Sequence, residues 1–258
     1  MKVAYFDAFA GISGDMVLGA LLDVGVPVDY LQGELAKLPL TNYELKAKEV
    51  ERGSIKATKV SVKAEEKGIV RTWPNVKSII ESSELADDIR ETAKNIFLRL
   101  AEAESKIHRK SVDKVHFHEV GAIDSIVDVV GAVIGIAYLE VEKVHASEIA
   151  TGMGVVKTAH GMLPIPAPAT LEILKDVPVY SGNISRELTT PTGAAIIKNY
   201  ASSYGPLPPV QVEKIGYGAG SEELDIPNVL RLMVGHEVEK KTKAAKENSS
   251  SSKLTSMT

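Results

Sequence analysis

Residues 121–139 constrain the fold most. Ile123, Ile126, Val127, Val130, Val133, Ile134 and Ile136 place apolar side chains nearly all round a helix, and a helix of that kind is buried centrally rather than laid on a surface. The segment leading into it is unlike a core element. His116-Phe117-His118-Glu119 alternates imidazoles with a phenylalanine and ends on a carboxylate, and Asp124 and Asp128 then interrupt the apolar run. If 115–119 is extended, His116 and His118 share one face and Phe117 takes the other. If the helix starts at Gly121, Asp124 and Asp128 stand at i and i+4, with their carboxylates on one side. Such like charges repel by a few tenths of a kcal/mol on an exposed helix and by more where water is excluded. A bound cation removes that cost. Imidazole nitrogen suits nickel, zinc, copper and iron, whereas carboxylate oxygen suits magnesium and manganese, so the segment offers both ligand types. Taken singly, each residue also fits a solvated helix face or an imidazole bonded to backbone; the five together point to a site.

The chain of 258 residues can bury one substantial core or two smaller ones. A formal charge of -4, with lysines spread rather than clustered, provides no basic field for nucleic acid. No cysteine is present, so disulfides and thiolate ligation are excluded, and a metal must be held by His, Asp, Glu, backbone or substrate atoms. No apolar run reaches the roughly 18 residues a membrane helix needs, and the N-terminus lacks a cationic segment followed by a long apolar one. A cytoplasmic protein is expected, with no nucleic acid or membrane as partner.

Two further stretches offer anion sites. Residues 2–7 read as a buried strand ending on Asp7, followed by a turn through Gly11, Ser13, Gly14 and Asp15 and an apolar helix over 16–22. A strand, a glycine-containing loop and a helix N-terminus suit a phosphate or a metal-bridged phosphate, with Asp7 and Asp15 placed to hold the metal. Capping by Ser13 or Asp15 accounts for the same residues. The second stretch is Glu187-Leu188-Thr189-Thr190-Pro191-Thr192-Gly193, where Thr190 is a suitable N-cap and Pro191 fits the first helical position of a helix over 194–200. The hydroxyls of Thr189, Thr190 and Thr192 and the N–H groups up to Gly193 could hold phosphate or carboxylate, and capping alone also explains them.

The remaining pattern predicts a mixed α/β fold: a central mixed sheet from 2–7, 143–150, 210–217 and 229–234, helices packed on it, and a small peripheral hairpin sheet from 43–64 turning at Gly53. Helices are expected at 27–37, 73–80, 84–109 and 169–174, with Gly131 and Gly135 allowing a neighbour to approach the central helix. A charged loop is expected at 65–68. Residues 151–168, with Pro164, Pro166 and Pro168 alternating, read as a stiff loop without hydrogen bonds of its own, where His160 could add a third imidazole. The folded domain is expected to span 1–237, and 238–258, Lys-rich and then Ser-rich, to form a disordered tail.

Phe6-Asp7 with Gly11-Ile12-Ser13-Gly14-Asp15-Met16, the His116 to Asp128 block, Glu187 to Gly193, and Gly216 to Gly220 with Pro227-Asn228 and Arg231 together resemble the LarC family. Its members insert nickel into the pyridinium bisthiocarboxylate mononucleotide that becomes the nickel-pincer cofactor of lactate racemase. The resemblance implies an enzyme, a nickel insertase of the metal-chelating lyase class, that uses CTP and manganese or magnesium to activate a nucleotide-like substrate before nickel enters. It implies nickel handling by His116 and His118, Glu119 as base or third ligand, and Asp7, Asp15, Asp124 and Asp128 as candidates for the hard cation. Family members usually continue into a C-terminal domain thought to bind CTP, so such a domain or subunit, the lactate racemase apoprotein and a homo-oligomer are the expected partners. Members also often carry a histidine-rich stretch, whereas 51–105 here holds no histidine. Two rival readings are a non-catalytic nickel or substrate carrier and a metal-dependent phosphohydrolase or nucleotidyltransferase.

Overall fold

The computed structural model describes residues 1–64, 70–117, 122–158 and 161–238. His118, Glu119, His160, the charged loop and the tail from 239 onward lie outside the described residues.

In chain order the elements are β1 (Lys2–Asp7), α1 (Gly14–Asp23), α2 (Val28–Leu35), β2 (Tyr43–Arg52), β3 (Ile55–Ala64), β4 (Arg71–Thr72), α3 (Trp73–Glu81), α4 (Asp87–His108) and β5 (His116–Phe117). They continue with α5 (Ile123–Tyr138), β6 (Lys143–Ala146), β7 (Ile149–Ala150), β8 (Gly154–Thr158), β9 (Gly161–Ile165), α6 (Pro168–Ile173), β10 (Val179–Tyr180), α7 (Pro191–Tyr200), β11 (Ala201–Tyr204), β12 (Val210–Ala219) and β13 (Val229–Glu237).

The main sheet has seven strands in the order β11-β6-β1-β13-β12-β3-β2. Its centre, β6-β1-β13-β12, is the set of strands that the sequence predicts. β1 runs antiparallel to β13 and parallel to β6, so the chain between β1 and β6 crosses over the sheet carrying α1 to α5. The expected mixed α/β architecture is therefore present. α1 lies directly on β12, β3 and β13, α5 packs on α1, and α4 packs on α5. As its composition requires, α5 is central: Ile126, Val127, Val129 and Val130 are fully buried.

Close packing under α1 depends on small residues. A Cβ at Gly218 of β12 would strike the Met16 carbonyl, and one at Gly19 of α1 would strike the Thr58 carbonyl of β3. On the other side of α1, Gly131 and Gly135 of α5 admit the side chains of Leu18 and Leu21. The sequence-based expectation that these glycines allow a close neighbour thus holds, and the neighbour is α1.

Three expectations are corrected. The hairpin of β2 and β3 is not a separate sheet: β3 extends the main sheet beside β12 through a parallel pairing of Thr58 with Gly218. α1 covers this seam, and Asp23 at its end accepts hydrogen bonds from the Thr58 hydroxyl and the Tyr217 N–H, both at 2.8 Å. The stretch 151–168 is not a loop without hydrogen bonds; β8 and β9 pair antiparallel from Gly154–Ile165 to Thr158–Gly161 and form the peripheral hairpin sheet. Pro164 stands opposite Val155 in that two-stranded pair, where an outer edge needs no partner and a missing N–H is tolerated. The expected strand 143–150 is divided into β6 and β7, the latter paired with β10.

Candidate functional site

The loops before α1 and α7 run side by side. Ile12 N–H donates to the Leu188 carbonyl at 3.0 Å, and Thr190 N–H donates to the Ile12 carbonyl at 3.1 Å, a parallel bridge between two segments far apart in sequence. Gly11, at φ 85°, makes the bend, and its Cα lies against the Leu188 carbonyl where no Cβ fits. The bridge sets the N-termini of α1 and α7 next to each other. Thr190 caps α7, its Oγ1 accepting from Gly193 N–H at 3.2 Å, with Pro191 following at the first helical position.

The first turn of α5 joins them. Gly14 of α1 meets the Asp128 side chain of α5, so the beginning of α1 and the first two turns of α5 share one wall. Together these segments line a cavity of about 400 Å3 that includes Ser13, Gly14, Asp15, Lys59, Asp124, Ser125, Asp128, Glu187, Thr190, Thr192 and Ser221. A second cavity of about 210 Å3 adjoins it, sharing Ser13, Asp15, Glu187, Thr190 and Ser221 and adding Arg186 and Asn228.

The electrostatics are of two opposed kinds. The unsatisfied N–H groups and partial positive charge of helix N-termini favour an anion, whereas Asp15, Asp124, Asp128 and Glu187 bring carboxylates to the same space. Asp15 is ion-paired with Lys59 of β3 and accepts from the Ser13 hydroxyl and, at 2.9 Å, from Met16 N–H. Asp128 is half-buried, and among the described residues its Oδ1 has neither solvent contact nor a hydrogen-bond partner. Burial pushes the Asp128 carboxyl well above the usual carboxylate range; the charges of Asp15 and Asp124 add to this, and Lys59 opposes it. A divalent cation bridging a phosphate to these carboxylates would satisfy both tendencies.

Among the described residues no three His, Asp or Glu side chains form a ready metal cage. A small hard cation is commonly held by one or two carboxylates plus substrate phosphates rather than by an all-protein cage. The orphaned Asp128 oxygen beside Asp15 and three helix N-terminal segments fits manganese or magnesium in that manner.

Of the residues singled out in the sequence, Ser13, Gly14, Asp15, Asp124, Asp128, Thr190 and Thr192 line the one cavity. Gly11, Thr189 and Gly193 build its frame: the Thr189 hydroxyl donates to the Ala150 carbonyl at 2.7 Å, and Gly193 packs on the Ile12 carbonyl. Asp7, at the end of β1, is not among the cavity's lining residues; it is ion-paired with Arg231, its register partner on β13. His116 is exposed on β5 and paired with Thr72 of β4, outside the cavity lining, while Phe117 turns inward against Phe97 with ring centroids 6.2 Å apart. The alternation expected of 115–119 thus holds for these two residues. Lys59 and Ser221 were not anticipated. Their bond of 2.7 Å joins positions 162 residues apart, and neither carries a local signal beyond its place in an alternating strand or a glycine-rich turn.

No helix among the described residues is long and apolar enough to cross a membrane. The sequence profile described as "Nickel insertion protein" matches residues 4–256. A Desulfitobacterium hafniense protein named pyridinium-3,5-bisthiocarboxylic acid mononucleotide nickel insertion protein is 52% identical over 235 residues, covering 91% of this chain and 58% of the relative. Two others are provisionally named nickel insertion proteins. The Wolinella succinogenes protein is 53% identical, covering 92% of this chain and 61% of its own length; that of Dictyoglomus thermophilum is 47% identical, covering 94% and 63%. The chain spans about three fifths of the length of these curated relatives. No solved structure matches the chain at a significant level. With a profile match across nearly all of its length and about half of its residues shared with these relatives, the chain belongs to the nickel insertion protein family.

Proposed function

We propose that this chain carries the substrate-phosphate and hard-cation site for CTP-dependent insertion of nickel into pyridinium-3,5-bisthiocarboxylic acid mononucleotide, the step that forms the nickel-pincer cofactor of lactate racemase. The observation that carries the reading is the convergence of the N-termini of α1 and α7 with Asp124 and Asp128 of α5 on one cavity. The name of the Desulfitobacterium hafniense relative supplies the substrate class, and a mononucleotide brings the phosphate that such a cavity suits.

In this reading the N–H groups of Gly14 and Asp15 at the start of α1 and of Thr192 at the start of α7 hold phosphate oxygens, with the Thr192 side chain beside them. Asp15 and Asp128 hold manganese or magnesium, and Asp124 completes the negative wall. Such a cation, when bound, neutralises phosphate charge and aligns the groups that react at phosphorus. Glu119 serves as the base. Nickel is cargo, carried by His116 and His118 to the sulfur and carbon atoms that receive it. The cofactor passes to the lactate racemase apoprotein in the cytoplasm. CTP is held with the help of a further domain or subunit, and the assembly is a homo-oligomer.

The test supplies the protein with the mononucleotide, Ni2+, CTP and Mn2+, and measures by mass spectrometry the nickel retained on the small molecule after the protein is removed. Asp15→Asn and Asp128→Asn are each expected to lower nickel transfer on the order of a hundredfold, as loss of a ligand does. Transfer unchanged in both variants would overturn the site. Nickel and mononucleotide bound without CTP turnover would identify a carrier module; phosphoester hydrolysis without nickel would identify a phosphohydrolase.

A further inference from the structure

Lys59 stands among carboxylates in a cavity that otherwise attracts a cation. It rises from the middle of β3, its side chain is 12% exposed, and its ammonium pairs with Asp15 and donates to the Ser221 hydroxyl at 2.7 Å. Asp15 is thereby fully engaged: Oδ1 accepts from Ser13 and Met16, and Oδ2 accepts from Lys59 and, at 3.4 Å, from the Ser221 hydroxyl. Asp128 is the opposite case, with an oxygen that is shielded from water and unpartnered among the described residues. A divalent cation placed between the two carboxylates would need the Asp15 oxygen that the ammonium now occupies.

Two cations cannot share that oxygen without strong repulsion, so binding one displaces the other. Lysine is suited to moving, being a compact charge on a flexible stem with three donors. Its second partner, Ser221, is a neutral exposed hydroxyl and holds it only weakly. Within the same cavity lie the starts of α1 and α7, where an anion would sit. We infer that Lys59 is an exchangeable counter-ion: it closes Asp15 in the cation-free protein and transfers to a substrate phosphate oxygen when a divalent cation takes Asp15.

This inference rests on the proposed phosphate and cation site, and it adds a consequence. Cation and phosphate become coupled through one side chain, because each removes a cost that the other meets. A lysine serving only to fasten β3 to α1 would stay on Asp15 whatever is bound, and phosphate affinity would not depend on it.

The test measures Mn2+ binding by electron paramagnetic resonance and pyrophosphate binding by calorimetry, each alone and then together, in the parent, Lys59→Met and Lys59→Gln, with Mn2+ binding also measured in Asp15→Asn and Asp128→Asn and folding followed by circular dichroism. Two variants are used so that a folding defect in one leaves the other to decide. Removing the ammonium is expected to tighten Mn2+ alone by about tenfold and to weaken pyrophosphate alone by about tenfold, opposite signs for the two ligands. The gain in pyrophosphate affinity on adding Mn2+ is expected to shrink in the variants. Mn2+ affinity unchanged or lowered, or pyrophosphate affinity unchanged, overturns the exchange. Failure of the underlying site reads differently: Mn2+ then binds to none of the proteins, or binds equally well to Asp15→Asn and Asp128→Asn.

Discussion

Gly14 on α1 faces Asp128 on α5 so closely that a Cβ at position 14 would lie 2.5 Å from the Asp128 carboxylate. Real contacts of that kind do not occur, so any side chain at position 14 must push α5 or rotate Asp128 out of the cavity. Gly14→Ala is expected to cost about 1–3 kcal/mol, the range for overpacking in a well-filled core. Mn2+ binding should fall while the protein still folds, because the collision is at the binding wall. Urea denaturation beside an Mn2+ titration checks this; a variant that keeps both stability and Mn2+ affinity would show that the two helices are farther apart than found here.

Asp128 predicts a pH dependence with a definite sign. Its carboxyl is raised in the fold, by burial first and by Asp15 and Asp124 second. The folded chain therefore holds this proton to higher pH than the unfolded chain does. Stability is lost as pH rises from the ordinary carboxylate range through the raised folded value. Asp128→Asn removes that loss. In metal-free protein the variant is expected to be more stable at neutral pH by roughly 1–2 kcal/mol, the scale of an unsatisfied buried group, and no more stable at pH 3–4. Thermal denaturation at the two pH values reads the difference, and added Mn2+ should stabilise the parent more than the variant. A variant less stable than the parent at neutral pH would contradict the burial argument.

The parts of this fold that were legible are those whose signals are local. β1 with its glycine turn and α1, the Thr190-Pro191 start of α7, and the apolar α5 each carry their own punctuation within a few residues. The hairpin of β8 and β9 was not legible, because alternating prolines normally argue against strands, and only the freedom of an outer edge makes Pro164 acceptable there. The site was half legible. Carboxylates and caps could be picked out one stretch at a time, but their convergence depends on the bridge between Ile12 and Thr189, which joins loops that nothing in either segment assigns to each other. Lys59 shows the same limit. It sits in a strand whose three lysines, Lys56, Lys59 and Lys63, fall among small and apolar residues, and only the seam between β3 and β12 turns it toward Asp15.

Thr190 separates capping from ligand binding. Its hydroxyl oxygen accepts from Gly193 N–H, and the residue is part of the cavity lining. Thr190→Ala is expected to lose about 1 kcal/mol of stability through the missing cap, whereas Thr190→Ser should restore most of it. If the uncapped end is also the phosphate site, Thr190→Ala weakens pyrophosphate binding and Thr190→Ser does not. Chemical denaturation and calorimetry on the same two variants test both statements, and equal pyrophosphate affinity in all three proteins would reduce Thr190 to a structural cap.

The histidine pair is best tested by nickel itself. His116 is exposed on β5 while the neighbouring Phe117 is buried against Phe97, so the aromatic anchor that fixes this segment is independent of the imidazole. His116→Ala with His118→Ala should therefore fold as the parent does, and circular dichroism should report no change. Imidazole nitrogen is a preferred donor for nickel, and this chain contains no thiolate to compete with it. Equilibrium titration of metal-free parent protein with Ni2+ is expected to show stoichiometric binding that the double variant loses. Equal binding by both proteins would remove these imidazoles as nickel ligands, leaving nickel to reach the mononucleotide through its own sulfur atoms or from another domain.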